Sequence, residues 1–330
     1  MHPFTISKAK TPAEATTQWQ SNNGRTSYIA GGTTLLDLAK LHVETPDHLV
    51  SLAALPNRSV TEKNGYFRIG ANATMAAVAA DENLQTSLPV LTESLLLAAS
   101  SQIRNMASIG GNLLQRVRCA YFRDGHSPCN KREPGTGCAA HKGEHRGHAI
   151  LGTSESCFAF HPSDLCVALA ALDADLVIRQ GNGTTARLAF LDLHKLPGDT
   201  PHIETSLKPG DYIEEILIPI PKSKLGSTYQ KARDRASYQF ALSSAAAVLE
   251  MDGDVVKSAR LALGGVATKP WRATNAEQSL VGKKLTTDTL NRCADLALKN
   301  AQPHEHNQYK IPLTRGIIFK ALTKAAERTA

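Results

Sequence analysis

The chain has 330 residues and a formal net charge of +7, and its apolar content of 42% is ordinary for a folded protein of two or three domains. Six cysteines are too few for a disulfide scaffold, and no apolar run is long enough to cross a bilayer. The basic residues cluster where four cysteines also lie, rather than along a stripe with interleaved aromatic residues. We therefore expect no nucleic-acid partner and no membrane span.

The N-terminal part of the chain alternates short strands with helices. A helix is predicted to begin after Thr11, which can cap it, with Pro12 at the first helical position. Residues 26–30 and 48–52 are predicted strands, and the first leads directly into Gly31-Gly32-Thr33-Thr34 and a Leu-rich helix. This alternation predicts a small parallel sheet.

The rest of the chain mixes helices with antiparallel strands. Apolar patterns and turn signals predict strands at 67–70, 175–180, 184–190 and 212–220, and helices at 75–80, 91–100 and 165–172. Beyond a boundary near 221–226, we predict an antiparallel meander of strands at 228–233, 245–251 and 255–263, and then two or three amphipathic helices from residue 275. Cys166 and Cys293 lie in apolar runs, and we expect both to pack in the core.

Two glycine-rich turns are candidate anion sites. Gly31-Gly32-Thr33-Thr34 lies between a strand and a helix, where backbone N–H groups can surround a phosphate. Gly110-Gly111-Asn112 is a second glycine-rich turn, followed by an amide side chain. Two such turns suit a diphosphate held from two sides. A tight turn without a ligand is the alternative for each, since neither matches a dinucleotide or P-loop fingerprint. Asp164 is either a helix cap or a contact to a ligand hydroxyl, and Lys231 is either a solvated cation or an anion contact.

Four cysteines lie in a loop that is poor in apolar residues: Cys119, Cys129, Cys138 and Cys157. No Val, Ile, Leu, Met, Phe, Trp or Tyr occurs from residue 123 to residue 149, so the loop cannot bury enough apolar surface to order itself. The alternatives are an iron–sulfur cluster, unliganded thiols, or zinc with the nearby residues His126, His141, His145 and His148. Arg and Lys around the cysteines favour the cluster, because four thiolates leave a net negative site.

Several motifs resemble those of the flavin subunits of molybdenum hydroxylases, the family of xanthine dehydrogenase and carbon monoxide dehydrogenase. They are Ala30-Gly31-Gly32-Thr33, Gln102-Ile103-Arg104-Asn105, Ser108-Ile109-Gly110-Gly111-Asn112 and His161-Pro162-Ser163-Asp164. Most members run almost directly from the Gly-Gly-Asn turn to the Ser-Asp pair, whereas this chain inserts the cysteine loop between them. The insertion resembles the flavin subunit of bacterial periplasmic aldehyde oxidoreductases, and a related one occurs in 4-hydroxybenzoyl-CoA reductases.

The resemblance implies an α+β fold of the FAD-binding PCMH type (VAO-like) with two subdomains, followed by a C-terminal domain of antiparallel sheet plus helices. The implied domains are 1–55, 56–222 with the inserted loop at 115–158, and 226–330. The implied FAD contacts are Thr26, Ser27, Tyr28, Ile29, Ala30, Gly31, Gly32, Thr33, Thr34, Ser108, Gly110, Gly111, Asn112, Asp164 and Lys231. The implied ligands of a [4Fe-4S] cluster are Cys119, Cys129, Cys138 and Cys157.

The resemblance also implies an electron-transfer function in a heterotrimeric molybdenum-dependent aldehyde oxidoreductase. The implied partners are a [2Fe-2S] subunit, a molybdenum-cofactor subunit and an external electron acceptor, and we expect no general base in this chain. The alternatives are a flavin subunit of the xanthine dehydrogenase or hydroxybenzoyl-CoA reductase type, a self-contained FAD oxidase, and a zinc-binding basic nucleic-acid protein. Residues 1–10 lack a charged segment followed by an apolar one. The resemblance to periplasmic enzymes nevertheless implies a periplasmic location by co-export with a signal-bearing partner, with the cytoplasm as the alternative.

Overall fold

The computed structural model describes residues 1–22 and 24–329. The N-terminal part is a parallel sheet with the strand order β1 (Thr5–Lys8), β3 (His48–Ser51), β2 (Thr26–Ile29). Helix α1 (Pro12–Gln20) connects β1 to β2, and α2 (Leu35–Lys40) connects β2 to β3. The predicted parallel sheet is confirmed. The sequence did not predict β1, because this edge strand is mostly exposed and has no apolar periodicity.

The second sheet is antiparallel. Its strand order is β4 (Val60–Lys63), β5 (Tyr66–Gly70), β8 (Tyr212–Pro219), β6 (Asp175–Arg179) and β7 (Thr185–Ala189). The helices between β5 and β6 are α3 (Met75–Ala79), α4 (Glu82–Ser87), α5 (Pro89–Leu97), α6 (Ser101–Met106), α7 (Ile109–Leu113), α8 (Ala120–Arg123) and α9 (Asp164–Ala171). The predicted β6–β7 hairpin is confirmed.

The C-terminal part is the predicted meander followed by helices. The sheet has the order β12 (Trp271–Arg272), β11 (Val255–Gly264), β10 (Ser243–Asp252) and β9 (Gly226–Ala232). The helices are α10 (Thr274–Leu280), α11 (Thr287–Leu298) and α12 (Lys310–Glu327). No helix in the described part of the chain is both long and apolar enough to cross a membrane.

The C-terminal sheet lies between two helical layers. Along β10, Ala245 and Ala247 pack with the C-terminal helices, whereas Ala246 and Val248 join the core that contains α5 and α9. This alternation follows from the two-residue period of a strand. Cys166 in α9 and Cys293 in α11 are fully buried, as expected. Strand β9 packs against α5, and its Lys231 side chain reaches Asp164 at the beginning of α9.

Candidate functional site

A deep cleft of about 880 Å³ lies beside both glycine turns. Its volume falls in the range of about 300–1,000 Å³ that is typical of cofactor and ligand pockets. Its wall includes most of the residues predicted to bind FAD: Ser27, Tyr28, Ile29, Ala30, Gly31, Gly32, Thr33, Thr34, Ser108, Gly110, Gly111, Asn112 and Asp164. Of the described residues predicted there, Thr26 and Lys231 lie outside the wall.

The first glycine turn presents free backbone donors to this cleft. Within the described chain, the N–H groups of Gly32, Thr33 and Thr34 donate to no protein acceptor, and the Thr34 hydroxyl makes no capping bond to α2. Gly32 has a φ of +71°, which favours glycine. A Cβ on Gly31 would lie 2.0 Å from the Met106 carbonyl oxygen, so the close packing of the turn also requires glycine. Successive free N–H groups suit a phosphate.

The second glycine turn lines the same cleft, but its backbone donors are already used. The N–H group of Gly110 donates to the Ala71 carbonyl at 2.8 Å, and that of Asn112 donates to the Ser108 carbonyl at 2.9 Å. The N–H group of Gly111 donates to the Ser108 hydroxyl at 3.2 Å. The backbone N–H groups of this turn therefore have acceptors within the chain, so the prediction that the turn contacts a diphosphate depends on its side chains. It supplies shape and side chains to the cleft.

Asp164 is free to face the cleft because Ser163 caps α9, accepting a bond from the Cys166 N–H at 3.1 Å. Tyr229 donates its hydroxyl to Asp164 Oδ1 at 2.5 Å, and Lys231 Nζ donates to Oδ2 at 2.7 Å. The side chains of Lys231 and Asp164 are 1% and 4% exposed. Burial raises the pKa of Asp164, while the charge of Lys231 opposes the rise. Lys231 therefore acts on the cleft through Asp164.

Sequence reasoning missed several residues of this site. Tyr229 lies two positions before Lys231 on β9, and the two-residue period of a strand could have placed both side chains on one face. In the wall of the cleft, the Arg118 guanidinium lies 5.2 Å from the ring centre of Phe240 and 3.0 Å from Asp37. No local signal marks these three residues, because they meet only in the folded chain.

The four loop cysteines line one small cavity. They share its wall with Val117, Phe122, Lys131 and His148, among others. The backbones of Cys129 and Cys138 pair in an isolated antiparallel β-bridge, and the side chains of Cys129 and Cys157 are buried. Burial raises the pKa of Cys119 to about 12 and also raises the pKa of Cys138 and Cys157. Such shielded thiols become thiolates when a metal centre binds them, so the cavity suits one.

Three of the four histidines that the sequence offered as zinc ligands do not line the cysteine cavity. Ring nitrogens of His141 and His145 lie within hydrogen-bonding distance of backbone carbonyl groups. The His126 side chain is 83% exposed. Of the described histidines that the sequence offered as zinc ligands, only His148 reaches the cavity, with its Nε2 atom 3.3 Å from Cys119 Sγ. The candidate donor atoms at the cavity are therefore the four thiol sulfurs and the Nε2 atom of His148.

Most basic residues of the loop pair with carboxylates elsewhere in the chain. Arg118 and Arg123 bind Asp37 at 3.0 Å and 2.7 Å. Arg146 binds Asp234 at 3.0 Å. The charges of these three arginines are therefore balanced by carboxylates that do not line the cysteine cavity. They tie the loop to the N-terminal and C-terminal parts of the chain.

The fold and this cleft agree with a known family. The model of the FAD binding domain in molybdopterin dehydrogenase matches residues 2–221. The chain belongs to the FAD-binding subunits of the molybdenum hydroxylases. The model of the CO dehydrogenase flavoprotein C-terminal domain matches residues 227–325 of this flavin subunit.

Several relatives of this flavin subunit match along nearly its full length. It is 44% identical to the aldehyde oxidoreductase FAD-binding subunit PaoB of Escherichia coli strain K12, over 98% of this chain and 99% of the relative. It is 25% identical to the glyceraldehyde dehydrogenase medium chain of Sulfolobus acidocaldarius, over 99% and 100%. The structure of reconstituted CO dehydrogenase from Oligotropha carboxidovorans matches with a TM-score of 0.78 and 25% identity, covering 99% of this chain and 98% of that one. The predicted family and the α+β fold are confirmed.

Proposed function

We propose that this flavin subunit holds both FAD and a [4Fe-4S] cluster and transfers electrons in a molybdenum-dependent aldehyde oxidoreductase. Its partners would be a [2Fe-2S] subunit and a molybdenum-cofactor subunit, and an external acceptor would receive the electrons. The cavity lined by four cysteines is the observation that supports the cluster. The similarity to the aldehyde oxidoreductase subunit of E. coli supports the substrate class.

The residues of the cleft fit FAD. The free N–H groups and hydroxyls of Thr33 and Thr34 would hold its pyrophosphate, with Gly32 allowing the close approach. Asp164, fixed by its two buried partners, would accept a hydrogen bond from another part of the cofactor. When bound, the flavin exchanges electrons singly or in pairs, which suits the junction between one-electron centres and an acceptor. The chain itself supplies binding, orientation and electrostatics.

The cysteine cavity fits a four-sulfur centre. Its four thiols are largely shielded from solvent, and His148 can donate a hydrogen bond to Cys119 Sγ. Hydrogen bonds to the sulfur atoms and low solvent exposure are features that tune iron–sulfur centres. We therefore propose Cys119, Cys129, Cys138 and Cys157 as the ligands.

Removing one proposed ligand tests the cluster. We expect about four irons per chain in anaerobically purified wild type, which is the content of one [4Fe-4S] cluster. Cys129→Ala should lose the iron and the broad visible absorbance while keeping FAD. Cys293→Ala is the matched control, because this cysteine is buried in the C-terminal core, and it should keep both. Unchanged iron in Cys129→Ala would contradict the ligand assignment, and zinc in place of iron in wild type would favour the zinc alternative.

Removing one hydroxyl from the first glycine turn tests the FAD site. A hydrogen bond to a charged group contributes about 1.5–3 kcal/mol, so Thr34→Val should raise the FAD dissociation constant of the apoprotein by about tenfold or more. Thr17→Val makes the same change on the exposed side of α1 and should have no effect. Equal dissociation constants for the two variants would exclude the Thr34 hydroxyl as a cofactor contact.

We also propose that the assembled enzyme works in the periplasm and that a partner subunit carries the export signal. The likeness of the cysteine loop to that of periplasmic aldehyde oxidoreductases supports this. Cell fractionation with and without the partner genes tests it. The proposal predicts periplasmic protein only when the partner is present, and protein that stays in the cytoplasm with all partners would contradict it.

A further inference from the structure

Lys131 is a buried cation in the wall of the cysteine cavity. Its side chain is 8% exposed, and its Nζ atom donates to the Pro201 carbonyl at 2.9 Å and pairs with Glu204 Oε1 at 2.7 Å. It also borders a second small cavity together with Cys157. Lys131 is therefore close enough to act electrostatically on one of the four sulfur atoms.

Lys131 shares its carboxylate partner with Arg116. The Arg116 Nε atom lies 2.8 Å from Glu204 Oε2, and the same guanidinium pairs with Glu44 at the wall of the flavin cleft. Burial acts to raise the pKa of Glu204, but Lys131 and Arg116 outweigh it, so the pKa is lowered and Glu204 stays ionised. The charges therefore alternate along a chain that runs from Glu44 through Arg116 and Glu204 to Lys131.

Lys131 ends this chain at the side that faces the thiols. Glu204 is shared between Lys131 and Arg116, and Arg116 has a second carboxylate partner in Glu44, so the four charges balance as a set. Lys131 is the member of this set that lines the cavity of the four cysteines, so its positive charge lies closest to the thiols. Four thiolates around an iron–sulfur cluster leave a net negative site, on which a nearby cation acts favourably.

We propose that Lys131 is the countercharge of the four-cysteine centre and raises its reduction potential, with Glu204 and Arg116 as positioning residues that hold it there. This inference rests on the proposed function, since it requires the cluster. Positive charge near an iron–sulfur centre favours the reduced form, which carries one more negative charge. The arginines of the loop that bind Asp37 and Asp234 do not share this position.

Opposite changes of charge test the proposal. The midpoint potential of the cluster is measured on the purified enzyme complex by redox titration with electron paramagnetic resonance. Lys131→Met should shift it to a more negative value, and Glu204→Gln should shift it to a more positive value. Lys131→Arg should keep it near wild type. Lys142→Met removes an exposed cation from the same loop and is the matched control, with no shift expected.

The signs of the shifts separate charge from structural damage. If the substitutions merely disturbed the structure of the site, the potentials of Lys131→Met and Glu204→Gln would shift in the same direction. Shifts of the same sign, or no shifts, would overturn the proposal. If Lys131→Met loses its iron, the other two variants still test the proposal. Only a charge effect raises the midpoint potential of Glu204→Gln while leaving that of Lys131→Arg unchanged. Iron content is measured first. Wild type without iron overturns the proposed function together with this inference, whereas normal iron without opposite shifts overturns the inference alone.

Discussion

Lys231→Met should destabilise the chain strongly, because it leaves the carboxylate of Asp164 buried without its ion-pair partner. The two charges are 2.7 Å apart, and their side chains are 1% and 4% exposed. Coulomb's law at a dielectric constant of about 20 gives about 6 kcal/mol of attraction at this distance, from which the desolvation of both ions must be subtracted. Removing one partner of a buried pair costs about 3–5 kcal/mol, and we expect a loss in that range.

The double variant Asp164→Asn/Lys231→Met provides the internal control. It removes both charges, and the Asn side chain can still accept the bond from Tyr229. We therefore expect the double variant to lose less free energy of unfolding than the sum of the single variants, with a coupling of about 2–3 kcal/mol. Denaturant unfolding followed by intrinsic fluorescence measures this, compared at unchanged m value.

The pH dependence of Lys231→Met adds a second check. Burial already raises the pKa of Asp164 in the folded chain, and losing the nearby cation raises it further. A carboxyl group with a raised folded pKa binds its proton more tightly when folded, so its stabilisation is present at low pH and lost as pH rises through the folded pKa. The defect of Lys231→Met should therefore be smaller at pH 5 than at pH 8. A pH-independent defect, or strictly additive single variants, would refute the ion pair as the cause.

Three further predictions concern backbone and charge. Burial lowers the pKa of Lys310 to about 7, so above that pH the unfolded chain binds the Lys310 proton more tightly than the folded chain does. Between pH 7 and 8.5, the free energy of unfolding should therefore rise by about 1.5 kcal/mol more in wild type than in Lys310→Met, as measured by denaturant titrations. Gly316→Ala should raise the free energy of unfolding by about 0.5–1 kcal/mol, because no neighbour would contact the new Cβ within helix α12, and an unchanged or lower value would contradict this. Gly31→Ala should yield little folded protein with FAD, because its Cβ would overlap the Met106 carbonyl; Gly147→Ala has open space and should purify normally, and equal FAD content in the two variants would contradict the overlap.

The sequence by itself determined several local elements of this protein. The meander of β9 to β11, the β6–β7 hairpin and the parallel pairing of β2 with β3 follow from apolar period and turn residues, which act over a few neighbours. The first glycine turn and the four cysteines were also recognisable, because the chemistry of their residue types does not depend on distant partners. The family resemblance of these motifs then identified the chain as a flavin subunit.

Only the tertiary structure decided which of these groups are available. The N–H group of Gly110 is used by Ala71, and Lys231 reaches Asp164 across 67 residues of sequence. Arg116 meets Glu44 across 72 residues. Burial and ion pairing depend on which distant segments the fold brings into contact, and no local pattern records that contact. The sequence therefore identified the first glycine turn and the cysteines as candidates, while the folded chain decided which turn keeps free donors and which cations lie near the thiols.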